Sequence, residues 1–386
     1  MTDARSAARS AVERSADRLV ALSHRIHAHP EIAFEEVRAC GWVAEELATA
    51  GLEVRTGVGD LPTALVAEAG SGPLTVAICA EYDALPEIGH ACGHNVIAAA
   101  AVGAGIALAR VADDLGIRVR VVGTPAEEAG GGKILLLEGG VFAGVHAAMM
   151  VHPFAYERDH MPCLAVSHLR VEYTGREAHA SANPEDGVNA ADAVTVAQVA
   201  IGLLRQHLRG SDRIHGIVTL GGAAPNIVPA HTAGHWYARA RTLAELAELE
   251  PRLRACFEAG ALATGARLTW HGDPRPYSEF QVDEGLRALY RRNAELLGRR
   301  FTDPGGPADR MQGSTDMANV SLAVPAIHPM LDIGARPASN HQPAFAACCV
   351  RPAADRAVVD GAVAMAWTAI DAAADPELAA RLRGRG

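Results

Sequence analysis

The stretch 74–101, LTVAICAEYDALPEIGHACGHNVIAAAA, contains three kinds of segment in succession. A continuous apolar run, rich in β-branched residues, reads as a strand buried on both faces. A polar loop with two glycines follows, carrying Asp83, Cys92 and His94. An alanine-rich apolar segment then reads as a buried helix. Strand, loop, buried helix is the start of a βαβ unit, which calls for a parallel sheet covered by helices. Further short apolar runs, RVRVVG (118–123), AAMMV (147–151) and AVPAIHPML (323–331), alternate with helical patterns in the same way. The expectation is an α/β fold with a mostly parallel sheet flanked by helices, formed by residues 1–164 and 275–386.

Between these parts the pattern changes. LAVSHLRVEYTG (164–175), RIHGIVTLGG (213–222), TAGHWYARART (232–242) and ARLTWHG (266–272) read as strands. The segments 187–208 and 243–265 read as helices. Strand-helix-strand-strand-helix-strand is the order of a ferredoxin-like α+β unit, expected here as an insertion over 165–274. The segment 301–316, FTDPGGPADRMQGSTD, is the most loop-like of the chain.

Composition narrows the class. The chain has 386 residues, enough for two domains, and a formal net charge of −10 that argues against a nucleic-acid groove. Seven scattered cysteines suit reduced thiols or metal ligation better than a disulfide framework. The N-terminal 30 residues form an amphipathic helix pattern without the features of a signal peptide, and no unbroken apolar run reaches the ~18 residues of a membrane span. A cytoplasmic protein without a membrane partner is expected.

In open α/β sheets ligands bind beyond the carboxyl ends of the strands. The polar residues there are Asp83, Cys92, His94, Glu127, Glu128, His152 and His341. Singly each has a plain reading: a turn cysteine, a capped histidine, a solvated glutamate pair. Together, after separate strands, they point to a metal centre. A mixed thiolate, imidazole and carboxylate set suits zinc, with manganese, cobalt or nickel as alternatives. So many ligands exceed the needs of one catalytic ion and fit a two-metal site. Of the adjacent Glu127 and Glu128, one can bind metal while the other handles the proton of an activated water. Asp83 is expected to orient a ligand histidine.

The segments EYDALPEIGHACGHN (81–95), GTPAEEAGGGK (123–133), VHP (151–153), GREAHASANPEDGVNAADA (175–193), GGAAPNIVPA (221–230), GSTDMANVSLAVPAIHP (313–329) and NHQPAF (340–345) resemble, in order and spacing, the di-metal aminoacylase and carboxypeptidase clan of metallopeptidases. Within it they resemble the amidohydrolase branch of indole-acetyl-amino-acid hydrolases, p-aminobenzoyl-glutamate hydrolases and β-alanyl-dipeptide peptidases. The resemblance implies a di-zinc exopeptidase fold whose inserted domain is a lid and dimerisation element. It implies that Cys92 bridges two divalent ions, with His94, Glu128, His152 and His341 completing the ligands. Glu127 would be general base and acid, and Asp83 the orienting carboxylate. His179 would reach a partner's site to hold the oxyanion, so a homodimer is implied. Asn226 and Arg239 would grip the free carboxylate of a small amide substrate. Asn95 and Thr315 depart from the Asp and Glu of many amidohydrolases, and NHQP replaces the commoner NHT.

Two rival readings of the same residues are a cysteine hydrolase with Cys92 as nucleophile and a binding protein on an inactive hydrolase scaffold. A third keeps the enzyme but has it remove an amine from an aromatic ring.

Overall fold

The computed structural model describes residues 2–301 and 312–384. Most of the loop-like stretch 301–316 lies outside the described residues. The chain divides into two compact units, one of Met1–Pro162 with Phe280–Gly386, the other of Cys163–Glu279.

In the first unit, β1 (Glu53–Thr56), β2 (Leu65–Ala69), β3 (Leu74–Glu81), β4 (Ile117–Thr124), β5 (Ala147–Met149) and β11 (Ala326–Ile327) form a sheet of order β1-β2-β4-β3-β5-β11. The pairs β4/β3, β3/β5 and β5/β11 are parallel, whereas β1/β2 and β2/β4 are antiparallel. Every residue of β3 is buried, as a central parallel strand covered on both faces requires. On one face helix His94–Ala109 packs against β3 and β4, with Val76, Ile78, Val119 and Val121 in the shared apolar cluster, and helices Thr2–His27 and Pro352–Ala374 pack on that helix. On the other, Leu136, Phe142, Met317 and Val320 pack against Ala77, Cys79, Val122 and Ala148. A separate parallel pair joins β6 (His152–Phe154) to β12 (Met330–Asp332).

Helix Pro352–Ala374 has the length and composition to cross a membrane, which the absence of an unbroken apolar run did not suggest. Most of that apolar stretch is buried in the core, and a helix apolar all round is what a buried position selects.

The second unit holds β7 (Ala165–Thr174), β8 (Arg213–Leu220), β9 (His231–Ala240) and β10 (Arg267–His271) in an antiparallel sheet of order β10-β7-β9-β8. Helices Ala190–Leu204 and Leu243–Thr264 cover one face around Leu169, Tyr173, Trp236 and Phe257. Asn189 caps the first helix by accepting from the amides of Ala191 and Asp192. The unit runs past residue 274 because Tyr277 exchanges two backbone hydrogen bonds with Val166 and Glu279 accepts from the Leu243 amide. Strand β8 forms an edge of this sheet, with Ile217, Val218 and Leu220 exposed.

Candidate metal centre

The ends of β3 and β4, the start of β6 and a later loop deliver the candidate residues of the first unit. Asp83 follows β3, and Cys92 closes the same loop where it enters helix His94–Ala109. Between Cys92 and His94, Gly93 has φ +82°, and a Cβ there would stand 2.4 Å from the Pro153 ring. Only glycine lets the ligand loop pass so close to the segment carrying His152. Glu127 and Glu128 follow β4, and His152 opens β6. His341 comes from the loop between β12 and the short helix Pro343–Ala346, where its amide donates to Ala91 O at 2.8 Å.

The structure brings these side chains together in overlapping groups. Cys92, His94 and His152 present ligand atoms within 4.8 Å of one another, and so do Cys92, Glu128 and His341. His94, Glu127 and Glu128 form a third such group. The Cys92 thiol is thus common to two sets of three donors.

Hydrogen bonding fixes which imidazole nitrogens face inward. His94 Nδ1 donates to Asp83 Oδ1 at 2.9 Å, while Asp83 Oδ2 accepts the Glu128 amide at 2.9 Å. His94 Nε2 then points at Glu81 Oε2 (3.4 Å), Glu127 Oε2 (3.8 Å) and Glu128 Oε1 (3.8 Å). His152 Nδ1 donates to Pro153 O at 2.8 Å, leaving Nε2 towards Cys92 Sγ at 3.5 Å. A ligand histidine whose far nitrogen is held by a carboxylate or carbonyl is the arrangement metal sites use to fix tautomer and ring direction. His94 Nε2, Glu81 Oε2 and Glu128 Oε1 are buried with no hydrogen-bond partner among the described residues. Inward-facing donors of this kind fit cations.

Ionisation follows the same layout. Burial opposes the charge of Asp83, yet the facing His94 imidazole holds its carboxyl below the usual range. Burial, with Glu81 and Glu128 as neighbours, pushes Glu127 well up. Burial works the same way on Glu128 and is the largest single influence, but His341, 3.5 Å away, and the facing His94 together hold this carboxyl down. Two adjacent glutamates driven in opposite directions suit one proton carrier and one anionic ligand. Burial lowers His152 to about 4, so it offers a neutral imidazole. Burial and Glu128 push the Cys92 thiol well up, which disfavours a free thiolate nucleophile.

Several neighbours carried no functional weight in the sequence. Lys133 is fully buried, with Nζ 2.5 Å from Glu81 Oε1 and 2.7 Å from Asp316 Oδ1. Glu81, Glu127 and Asp316 form a further acidic group around it. The position of Glu81 at the end of β3 and the unusual lysine after GGG were the available signals. His328 is buried beside His152, ring centroids 5.5 Å apart, and burial keeps it neutral. Asn95 donates from Nδ2 to Ser23 Oγ (2.8 Å) and Cys349 O (3.1 Å), bonds a carboxylate in its place could not donate. The Thr315 hydroxyl accepts the Met317 amide at 3.1 Å at the start of helix Met317–Ala323.

His179, Asn226 and Arg239 belong to the second unit. The segments 178–180 and 226–228 pair through an isolated bridge, with Ala180 N donating to Asn226 O at 3.0 Å, so His179 and Asn226 stand on adjoining loop segments. His179 is exposed and its Nδ1 accepts the amides of Ser181 and Ala182. That leaves Nε2 as the protonated, outward donor. Arg239, on β9, donates from Nε to His215 Nε2 at 3.3 Å.

Residues 77–356 match the model of "Peptidase family M20/M25/M40". The chain is 39% identical over 382 residues to an Xaa-Arg dipeptidase of Mus musculus, covering 95% of this chain and 88% of that protein. It is 33% identical over 275 residues to a component chain of the p-aminobenzoyl-glutamate hydrolase of Escherichia coli, covering 66% of this chain and 57% of that protein. In fold it is similar to a dinuclear metal-binding M20 peptidase from Bacillus subtilis, with a TM-score of 0.70, 21% identity, and 93% and 98% of the two chains covered. A putative aminohydrolase from Staphylococcus aureus gives a TM-score of 0.76 at 19% identity, over 95% and 99% of the two chains. The chain belongs to peptidase family M20/M25/M40.

Proposed function

We propose that this chain hydrolyses the amide bond of a dipeptide or N-acyl amino acid with a free carboxylate. In this reading Cys92, His94, Glu128, His152 and His341 hold two divalent cations. The carrying observation is the Cys92 thiol shared by two groups of three donors, which suits one sulfur between two ions. The donor set fits zinc or manganese. When bound, the ions supply Lewis-acid polarisation of the scissile carbonyl and acidify the attacking water.

The chain's own residues manage the protons. Asp83 keeps His94 oriented through Nδ1 and fixes the Glu128 backbone through its amide. Glu127 takes one proton from the attacking water. The water oxygen bonds to the carbonyl carbon, the carbon–nitrogen bond breaks, and Glu127 returns the proton to the leaving nitrogen. The products are a carboxylic acid and an amine. The raised affinity of Glu127 for a proton suits that exchange.

Arg239 and Asn226 would receive the substrate carboxylate, since a guanidinium fork matches a carboxylate. His179, with Nε2 as donor, would hold the oxyanion in the site of a second copy. The exposed apolar edge β8 would be covered in that homodimer. The names of the relatives support a dipeptide or acyl-amino-acid substrate.

The test joins elemental analysis to a substrate panel. About two ions per chain are expected, with turnover lost on chelation and restored by zinc or manganese. Free-acid dipeptides and N-acyl amino acids should be cleaved well ahead of their amidated analogues. Activity that survives complete metal removal, or equal cleavage of amidated analogues, would overturn the respective part of the reading.

A further inference from the structure

The turn that carries Glu127 and Glu128 is conformationally costly. Ala126, immediately before the pair, has φ +58°, a left-handed conformation that an alanine seldom adopts. Two carboxylates grip this turn by its amides. Asp83 accepts the Glu128 N–H at 2.9 Å. Glu36 Oε1 accepts the Ala126 N–H at 2.8 Å across 90 positions of sequence. On the far side of the turn the Ala126 carbonyl accepts the Gly131 amide at 3.0 Å.

Glu36 is a fully buried carboxylate at the start of helix Val37–Thr49, yet its side chain does not cap that helix. Glu31 takes that duty, accepting the amides of Arg38 and Ala39. The second Glu36 oxygen accepts the Thr63 hydroxyl at 2.9 Å. Thr63 is itself anchored by the buried Tyr82 hydroxyl, which donates to the Thr63 carbonyl. The carboxylate is therefore aimed from behind, with both oxygens engaged.

We propose that Glu36 is a positioning residue for the Glu127–Glu128 pair: its hydrogen bond to the Ala126 amide holds the left-handed turn that sets the directions of both following side chains. Asp83 fixes one end of the pair and Glu36 the other, so the proton carrier and the metal-binding carboxylate keep their relative placement. The catalytic consequence rests on the hydrolase reading above. The backbone consequence does not.

Amide hydrogen exchange on metal-free protein tests the backbone claim. The Ala126 amide should be protected in the wild type, exchange at least ~10-fold faster in Glu36→Ala, and stay protected in Glu36→Gln, which keeps an acceptor oxygen in place. Adding Ala126→Gly supplies the decisive contrast, because glycine takes a positive φ without strain. Glu36→Ala should lower kcat by ~10-fold or more with little change in KM, and Glu36→Ala/Ala126→Gly should recover several-fold of that loss. Should Glu36→Ala not fold, Glu36→Asp retracts the carboxylate by one methylene and should show the same loss and the same glycine rescue. Unchanged Ala126 exchange in a folded Glu36→Ala or Glu36→Asp protein would overturn the proposal. So would a folded double variant with no recovery, or Glu36→Gln as impaired as Glu36→Ala. If the wild type cleaves no amide at all, the hydrolase reading fails by itself and the exchange result still decides the clamp.

Discussion

Replacing Lys133 by methionine should strongly destabilise the first unit. The ammonium is completely buried and touches Glu81 Oε1 at 2.5 Å and Asp316 Oδ1 at 2.7 Å. Its backbone amide also donates to Asp316 Oδ2 at 2.9 Å, an anchor that methionine retains. Burial alone favours the uncharged amine. Asp316 and Glu81 overcome that and hold its pKa above the ordinary value. Methionine fills a similar volume, so cavity formation contributes little. What remains is two buried carboxylates without their cation, a situation that costs about 3–5 kcal/mol when one partner of a buried pair is removed. Protonation offers partial relief. Burial already raises Asp316 to about 6 despite the lysine, so without it the carboxyl accepts a proton at still higher pH. The penalty should therefore be large at pH 8 and distinctly smaller at pH 5. Urea unfolding, combined with hydrogen exchange on β3 and on helix Gly132–Glu138, reads it in the unit concerned. Adding Asp316→Asn should recover part of the loss at pH 8. A penalty below about 1 kcal/mol, one equal at both pH values, or one that Asp316→Asn deepens would refute the electrostatic argument.

Three further outcomes follow from named contacts. Glu127→Gln should keep its metal and lose at least ~100-fold in kcat, while Glu128→Gln should lose metal on dialysis; the reverse pattern would mean that the two roles are exchanged. Burial raises Glu36 from 4.5 to about 7. Its favourable contribution is thus present below the unfolded pKa and fades as pH rises through about 7, so Glu36→Gln should gain up to about 3 kcal/mol relative to wild type between pH 4 and pH 8, and parallel pH–stability curves would contradict this. Inactive His179→Ala and Glu127→Ala chains, once mixed and shown to exchange partners, should regain roughly a quarter of wild-type activity if each site borrows His179 from a second copy; no regain would keep His179 within its own chain.

How much of this could be read from sequence depends on how local each signal is. The runs that became β3, β4 and β5 announce themselves by unbroken apolar character. Glu127, Glu128 and His152 sit just after such runs, and Cys92 and His94 close the loop that follows one, so the topology of a parallel sheet gathers them. Lys133, Asp316 and Glu36 gave no comparable sign. Each is an ordinary charged residue beside a helix start, and what makes it important is burial against partners far along the chain: 183 positions separate Lys133 from Asp316 and 90 separate Glu36 from Ala126. Glu81 was hidden differently, since the last residue of an apolar strand reads as its solvated end although it is wholly buried. The apolar helix Pro352–Ala374 shows the limit in the other direction. Composition describes how apolar a segment is, and only packing decides whether protein or lipid surrounds it.

The acidic residues around Glu127 are balanced by two different means, and the difference bears on its chemistry. On one side lie the Glu128 carboxylate and the inward nitrogen of His94, donors proposed above to hold cations. On the other side Glu81 and Asp316 share a single built-in cation, Lys133. Glu127 belongs to both acidic groups. The built-in side has two carboxylates for one ammonium, a negative excess facing Glu127 wherever both are ionised. That excess favours the protonated form of Glu127 and strengthens it as a base. Cations bound on the other side act in the opposite sense by favouring its ionised form. If Glu127 is the proton carrier proposed above, a fixed negative excess on one side and bound cations on the other would draw it back towards the middle of the pH scale, where it could both accept a proton from water and release it to an amine. Lys133 sets the size of the fixed excess. Methionine in its place should therefore shift the pH dependence of kcat towards the alkaline side in whatever fraction of the variant folds, a displacement that lost stability alone would not produce.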